Sequence, residues 1–182
     1  MQIRIVVDHA VVTMTIACLD AAYSDTSASG ACALCLTWDA AKPVRILTHR
    51  EGAAAAYQPG SFYKRELPIL LAVLKLLERP PATIIIDGYV WLDGNHRPGL
   101  GAFLYEALAQ RSRVVGVAKT SFGELLPWCI PVVRGNSQRP LFVSAVGMNV
   151  EEAARGVKTM HGRHRIPTLL RLVDREARAA LL

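Results

Sequence analysis

At 182 residues the chain is long enough to bury a continuous core without disulfide or metal staples, and 52% hydrophobic with 20% charged residues excludes a disordered chain. No apolar stretch reaches the roughly 20 residues a membrane span needs, and Met1 to Asp8 lacks the layout of a signal peptide, so a cytoplasmic location is expected. The net charge of +6, concentrated between Arg155 and Arg178, favours polyanionic partners, because neutralising phosphates releases counterions; a solvated helical face accounts for it equally well.

No repeat, low-complexity tract or linker divides the sequence, so residues 1–182 are read as a single domain. Its first half reads as strands. Thr13 to Leu19 is a β-leaning run ending at Asp20, and Ser24 to Gly30 is expected to be a turn because it is rich in Ser, Gly and Asp. Ala31 to Trp38 and Val44 to Thr48 follow as strands, joined by a turn through Asp39 to Pro43, which suggests an antiparallel meander. Cys32 and Cys35 form a CxxC inside this strand. Residues three apart on a strand point to opposite faces, so the pair is read as reduced core cysteine rather than a zinc or redox site.

Helices then alternate with strands. Leu67, Leu70, Leu71, Leu74 and Leu77 recur at helical spacing in a helix opened by Glu66 and stopped by Pro80-Pro81. Thr83 to Ile86 is a β-branched run of the kind buried on both faces. A helix from Gly101 to Gln110, a strand over Val114 to Ala118 and a strand over Leu141 to Val146 come next. Val150 to Met160 and Pro167 to Leu181 read as closing helices. The fold class is therefore α/β: a mixed central sheet, an antiparallel meander followed by β-α-β units, flanked by helices. An RNase H-like sheet requires that order, although other α/β folds share it.

Asp20 and Asp87 each fall directly after an apolar run, at the expected C-terminal end of a strand, where functional groups of open α/β sheets gather. Glu66 follows the turn-rich Gln58-Pro-Gly-Ser61. Three carboxylates converging from three elements repel one another unless a cation lies between them, and hard oxygen ligands select Mg²⁺ or Mn²⁺. Singly, each acid has a plainer explanation: a turn cap at Asp20, a favourable charge at a helix N-terminus for Glu66, a tight turn at Asp87-Gly88.

The surrounding residues resemble the endonuclease V family, nucleases that cut near deoxyinosine. Tyr57-Gln-Pro-Gly-Ser-Phe-Tyr-Lys-Arg-Glu66 is similar to that family's Y-x-P-G-x-x-x-x-R-E stretch. Ile86-Asp-Gly88 and His96-Arg-Pro-Gly-Leu-Gly101 resemble its D-G…H-P-R-G-L-G segment, with Arg97 and Pro98 in swapped order. Gly116-Val-Ala-Lys-Thr120, Cys18-Leu-Asp-Ala-Ala-Tyr23 and the tail Arg165-Ile-Pro-Thr…Arg171-Leu-Val-Asp174 match three further segments in order, so the likeness runs from about Thr13 to Asp174.

The resemblance implies an RNase H-like fold and a Mg²⁺-dependent endonuclease (Mn²⁺ as substitute) that hydrolyses a phosphodiester near inosine in DNA or RNA, as in DNA repair. Asp20, Glu66 and Asp87 would be the metal carboxylates, His96 would sit beside the metal, and Lys119 would balance charge on the reacting phosphate. Tyr57, Pro59 and Gly60 would form a strand-separating wedge, Gly88 would line the pocket for the displaced base, and Arg65 would contact phosphate or support the site. Neither a membrane nor an obligate protein partner is expected.

Two departures stand out. The loop from Asp87 to His96 is longer than the family's and carries an extra acid, Asp93. Val146-Gly-Met148 stands where the family has Gly-His, so Met148 is expected to replace an active-site histidine, with Asp93 or His96 compensating. The alternatives are a nucleic-acid-binding module with weak or lost catalysis, and a structure-specific nuclease without inosine preference.

Overall fold

The computed structural model describes residues 15–52, 63–121 and 128–182. The meander forms first: β1 (Ile16–Tyr23), β2 (Ser27–Cys35) and β3 (Arg45–Gly52) pair antiparallel in succession. After α1 (Tyr63–Leu74) the chain returns as β4 (Thr83–Asp87), parallel to β1. Next, α2 (Leu100–Ala107) crosses to β5 (Arg113–Ala118), parallel to β4. β6 (Cys129–Val132) and β7 (Leu141–Val146) close the sheet antiparallel, and α3 (Val150–Thr159) and α4 (Thr168–Ala179) end the chain. Among the described residues this gives one seven-stranded sheet in the order β3-β2-β1-β4-β5-β7-β6. The meander and β-α-β units expected from the sequence are both present, and together they make the RNase H-like sheet.

Two apolar layers hold it. On one face Cys18, Ile85, Val115 and Val143 meet Ala153 and Val157 of α3 and Leu169, Val173 and Ala177 of α4. On the other, Ala17, Leu19, Ile84 and Ile86 meet Leu70 and Val73 of α1 and Leu100 and Leu104 of α2. The β4 isoleucines thus alternate between layers, as strand geometry requires, and all three are essentially inaccessible. Cys35 joins the first layer and Cys32 the second, so the CxxC does point to opposite faces. All four cysteines are free and buried, and burial pushes the Cys32 thiol up to about 12 and those of Cys35 and Cys129 to about 11.

The differences from the sequence reading have tertiary causes. Residues 27–30 are strand, not turn; the turn is confined to 24–26. Their small side chains suit β2 because it is gripped from both sides. A side chain on Gly30 would stand 3.1 Å from the Ile69 carbonyl of α1, while the Ser29 hydroxyl donates to the Ala177 carbonyl of α4. β6 escapes the sequence pattern because Pro131 interrupts it. Proline is tolerated there because, among the described residues, β6 is an edge strand paired with β7 alone. The helix expected to open at Glu66 already includes Tyr63, so Glu66 lies in its first turn, and it ends at Leu74, short of Pro80. The segment after β4 is a hairpin-like loop: Trp91 bridges Pro98, and the Leu92 amide donates to the Arg97 carbonyl.

Candidate functional site

Parallel pairing of β1 with β4 ends at Leu19 and Ile86, so the next residue on each strand, Asp20 and Asp87, emerges side by side at one sheet edge. Asp20 does not end its strand, as the sequence suggested, because β1 continues to Tyr23 against β2 alone. β5 runs parallel beside β4, so Lys119, just past its end, reaches the same edge and its ammonium pairs with the Asp87 carboxylate. Glu66 arrives from the first turn of α1, largely buried, and shares with Asp20 and Asp87 the wall of a small gap above Ile86.

A fourth carboxylate joins them. Asp174 of α4 lines a cavity of about 120 Å³ together with Asp20, Asp87, Lys119 and Arg171. Asp174 is not among the acids that the sequence pattern singles out, although the tail segment from Arg165 ends on it and is the available signal. Helix periodicity puts Arg171 and Asp174, three apart, on neighbouring positions of one face.

The electrostatics record this crowding. Burial, opposed by a hydrogen bond from the Ala21 amide, and the charges of Asp87 and Asp174 raise the Asp20 carboxyl to about 6. Burial, then Asp20 and Asp87, raises Glu66 to about 8. Burial disfavours the Lys119 ammonium, but its hydrogen bond to Asp87 and the neighbouring carboxylates outweigh that and raise it. Lys119 pairs with Asp87 and Arg178 with Asp174, while the raised carboxyls of Asp20 and Glu66 mark where negative charge is crowded. An all-oxygen donor set suits a hard divalent ion. Among the described residues no three His, Cys, Asp or Glu side chains stand close enough together to hold a metal ion as they are placed.

Lys119 and α4 are held by a second tier. The Arg165 guanidinium donates to the Lys119 and Pro140 carbonyls, the latter at 2.7 Å. Arg134, only 5% exposed, donates to the carbonyls of Met160, Gly162, His164 and Arg165, tying down the loop from which α4 starts.

On the other side of Asp87 opens a cleft of about 510 Å³, lined by Glu66, Gly88, Tyr89, Arg97 and the stacked pair Tyr63 and Phe103, whose rings lie 3.7 Å apart. Gly88 has φ +133°, and no atom lies within 4 Å of where a Cβ would stand, so the cleft floor is open there. Gly116 cannot carry a side chain, since its Cβ would fall 2.6 Å from the Gly88 carbonyl. The Tyr89 hydroxyl donates to the Thr120 carbonyl, linking the cleft wall to the end of β5.

Other expected site residues fare differently. Arg65 stacks over the Tyr23 ring at 4.1 Å, and the Tyr23 hydroxyl donates to the Arg65 carbonyl, an arrangement that braces α1 against β1. His96 is exposed at the hairpin tip with φ 57° and packs edge-on to Trp91; it lines neither cleft holding the carboxylates, whereas Arg97 does. Asp93 builds its own loop, accepting from the Asn95 and Arg97 amides and pairing with the Arg97 guanidinium at 3.3 Å. Tyr57, Pro59 and Gly60 lie outside the described residues.

Met148 requires a correction. β7 runs antiparallel to β5, pairing Phe142 with Ala118 but Val146 with Val114. Its start is therefore at the carboxylate edge and its end at the opposite edge. Met148 follows that end, half-buried against the layer under α3 and α4, roughly 15 Å from Asp87 along the strand direction at about 3.3 Å per residue. It stands in for no histidine of this site, and no compensation by Asp93 or His96 is needed on its account.

Comparison with known proteins agrees with the fold. The family model for endonuclease V matches residues 2–126. Among solved structures, endonuclease V from Streptomyces avermitilis is 26% identical, with 93% of this chain and 82% of that one covered and a TM-score of 0.74. Ciona intestinalis endonuclease V, solved with a 24mer DNA containing an inosine followed by a ribo-adenosine, is 20% identical over 92% and 85% of the two chains, with a TM-score of 0.76. Human ENDOV is 21% identical over 93% and 84%, with a TM-score of 0.72. A sequence search of curated proteins finds no match.

Proposed function

The chain belongs to the endonuclease V family, a family of nucleases, and from that premise we propose that it is a metal-dependent endonuclease that hydrolyses a phosphodiester near a deaminated base, inosine, in DNA or RNA. The observation that carries this reading is the placement of Asp20 and Asp87 side by side beyond their paired strands, with Glu66 and Asp174 lining the adjoining gaps and Lys119 paired with Asp87. Asp20, Glu66, Asp87 and Asp174 would hold Mg²⁺ or Mn²⁺, which when bound lowers the pKa of water and neutralises phosphate charge. Lys119 supplies a fixed positive charge where the phosphate gains negative charge in the transition state, held in place by Arg165 through its own carbonyl.

The wider cleft is the receptor for the base. Its flat aromatic wall at Tyr63 and Phe103 and its open floor at Gly88 suit a planar ring taken out of the stack. The inosine-containing DNA held by the Ciona relative supports that substrate. Tyr57, Pro59 and Gly60 would part the strands, the aromatic ring replacing stacking that the displaced base gives up. A nuclease without inosine preference is the second reading, favoured by Arg97, rather than His96, at the cleft. A role in DNA repair accords with that chemistry. No helix among the described residues is long and apolar enough to cross a membrane.

The test is a cleavage assay in Mg²⁺ or Mn²⁺ on matched DNA and RNA, single- and double-stranded, with and without inosine. Cleavage confined to inosine substrates supports the full reading, equal cleavage of unmodified strands supports the second, and no cleavage of any of them removes both.

A further inference from the structure

Beyond the carboxylate cavity, on the side away from the base cleft, α4 and the loop between β2 and β3 enclose an open groove of about 760 Å³. Lys42 enters from the loop, and Thr168, Arg171 and Arg175 line it from one face of α4 at the i, i+3 and i+7 positions. The groove shares Arg171 and Asp174 with the cavity that holds Asp20, Asp87 and Lys119, so the two adjoin.

Three cationic side chains line it against one carboxylate, Asp174, which the Arg178 guanidinium already engages at 2.9 Å. The Arg175 guanidinium pairs with Glu176 at 2.8 Å but is 71% exposed, in the range where such pairs contribute little and exchange readily for a phosphate oxygen. The charged part of this surface is therefore basic and solvent-accessible, the character of a phosphate-backbone track, with Ala41, Pro43 and Leu172 between the charges. A strand whose phosphate sits at the acids must continue in both directions. The wide cleft receives one side; this groove is the adjoining basic path on the other.

We infer that Lys42, Arg171 and Arg175 form a track for the sugar-phosphate backbone of the substrate strand on the side of the reacting phosphate away from the base cleft. This rests on the nuclease reading for the position of the reacting phosphate. Lys42 and Arg175 lie outside the carboxylate cavity and outside every motif that the family resemblance covers.

The test measures binding of fluorescent single-stranded DNA and RNA of one sequence to the full chain in Ca²⁺, over a range of salt. The protein is compared with the double variant Lys42→Ala/Arg175→Ala and the charge-conserving variant Lys42→Arg/Arg175→Lys. Loss of two phosphate contacts flattens the slope of log K against log salt by about 1.4, at roughly 0.7 per contact on a single strand, and weakens low-salt binding about tenfold. The charge-conserving variant keeps the slope. Extending the oligonucleotide on one side only strengthens binding to the parent protein, and the double variant loses that increment.

An unchanged slope in a double variant that melts like the parent overturns the inference, whatever the cleavage assay gives. A parent that binds with the expected slope, loses it in the double variant, yet cuts nothing in Mg²⁺ or Mn²⁺ supports the track while removing the nuclease reading.

Discussion

The two edges of the central sheet are built from the same strands but have opposite chemical character. At the edge where β1, β4 and β5 finish, Asp20, Asp87 and Lys119 emerge next to one another and meet Glu66 and Asp174 from helices on the two faces. At the other edge, where β7 finishes, Gly147 turns tightly with φ 76° against the Tyr105 ring and Met148 packs onto the core. The first edge concentrates buried like charge, which is costly to folding unless a cation or protons offset it; the second consists of ordinary packing. The contrast supports the proposed site by the cost a fold tolerates there.

The sharpest way to break this comparison is Asp87→Asn, which removes the carboxylate shared by both clefts and the partner of Lys119. Its cleavage rate should fall toward the upper end of the roughly 10²–10⁴-fold that loss of a positioned catalytic group commonly costs, with the melting temperature retained. Parent-like cleavage by this variant in limiting Mg²⁺ would move the chemistry away from this edge. Lys119→Met should lose about 10²–10³-fold, the size expected when one stabilising charge is removed from a developing oxyanion, chiefly in kcat rather than KM.

Stability supplies a third handle. The folded pKa values of Asp20 and Glu66, about 6 and about 8, lie above their ordinary values of 3.8 and 4.5. The folded protein therefore holds protons that the unfolded chain has released, and without metal it loses stability as pH rises from about 4 to about 8. On the proposed reading a divalent ion would replace those protons. Mg²⁺ should raise the Tm clearly at pH 8 and much less at pH 5, and an equal rise at both would dissociate the raised carboxyls from metal binding.

The smallest expected effect belongs to the opposite edge. Met148→His should leave cleavage within about twofold and cost stability on the order of 1 kcal/mol, as for an ordinary half-buried packing residue. A large rise in cleavage would erase the distinction between the edges.

Much of the site was legible because its carriers are local. Apolar runs stop at Asp20 and Asp87, Lys119 follows a β-branched run, and Glu66 stands at the head of a leucine-patterned helix; each is a short-range signal. Asp174 was less visible because its partners lie far away in sequence, and a helix face does not announce which strand end it meets. His96 looked like a site residue by motif, yet the hairpin closed by Trp91 and Pro98 turns Arg97 toward the cleft and leaves His96 at its tip.

By itself the sequence determined the alternation of elements, the meander preceding the β-α-β units, and three acids with one lysine punctuating them, because hydrophobic period and turn chemistry act over a few residues. Strand direction is not local. Whether a strand's end lies at the functional edge or the opposite one depends on which neighbour it pairs with and in which sense. The antiparallel insertion of β7 beside β5 therefore sent Met148 away from the acids, and the packing of α4 across β1 brought Asp174 to them.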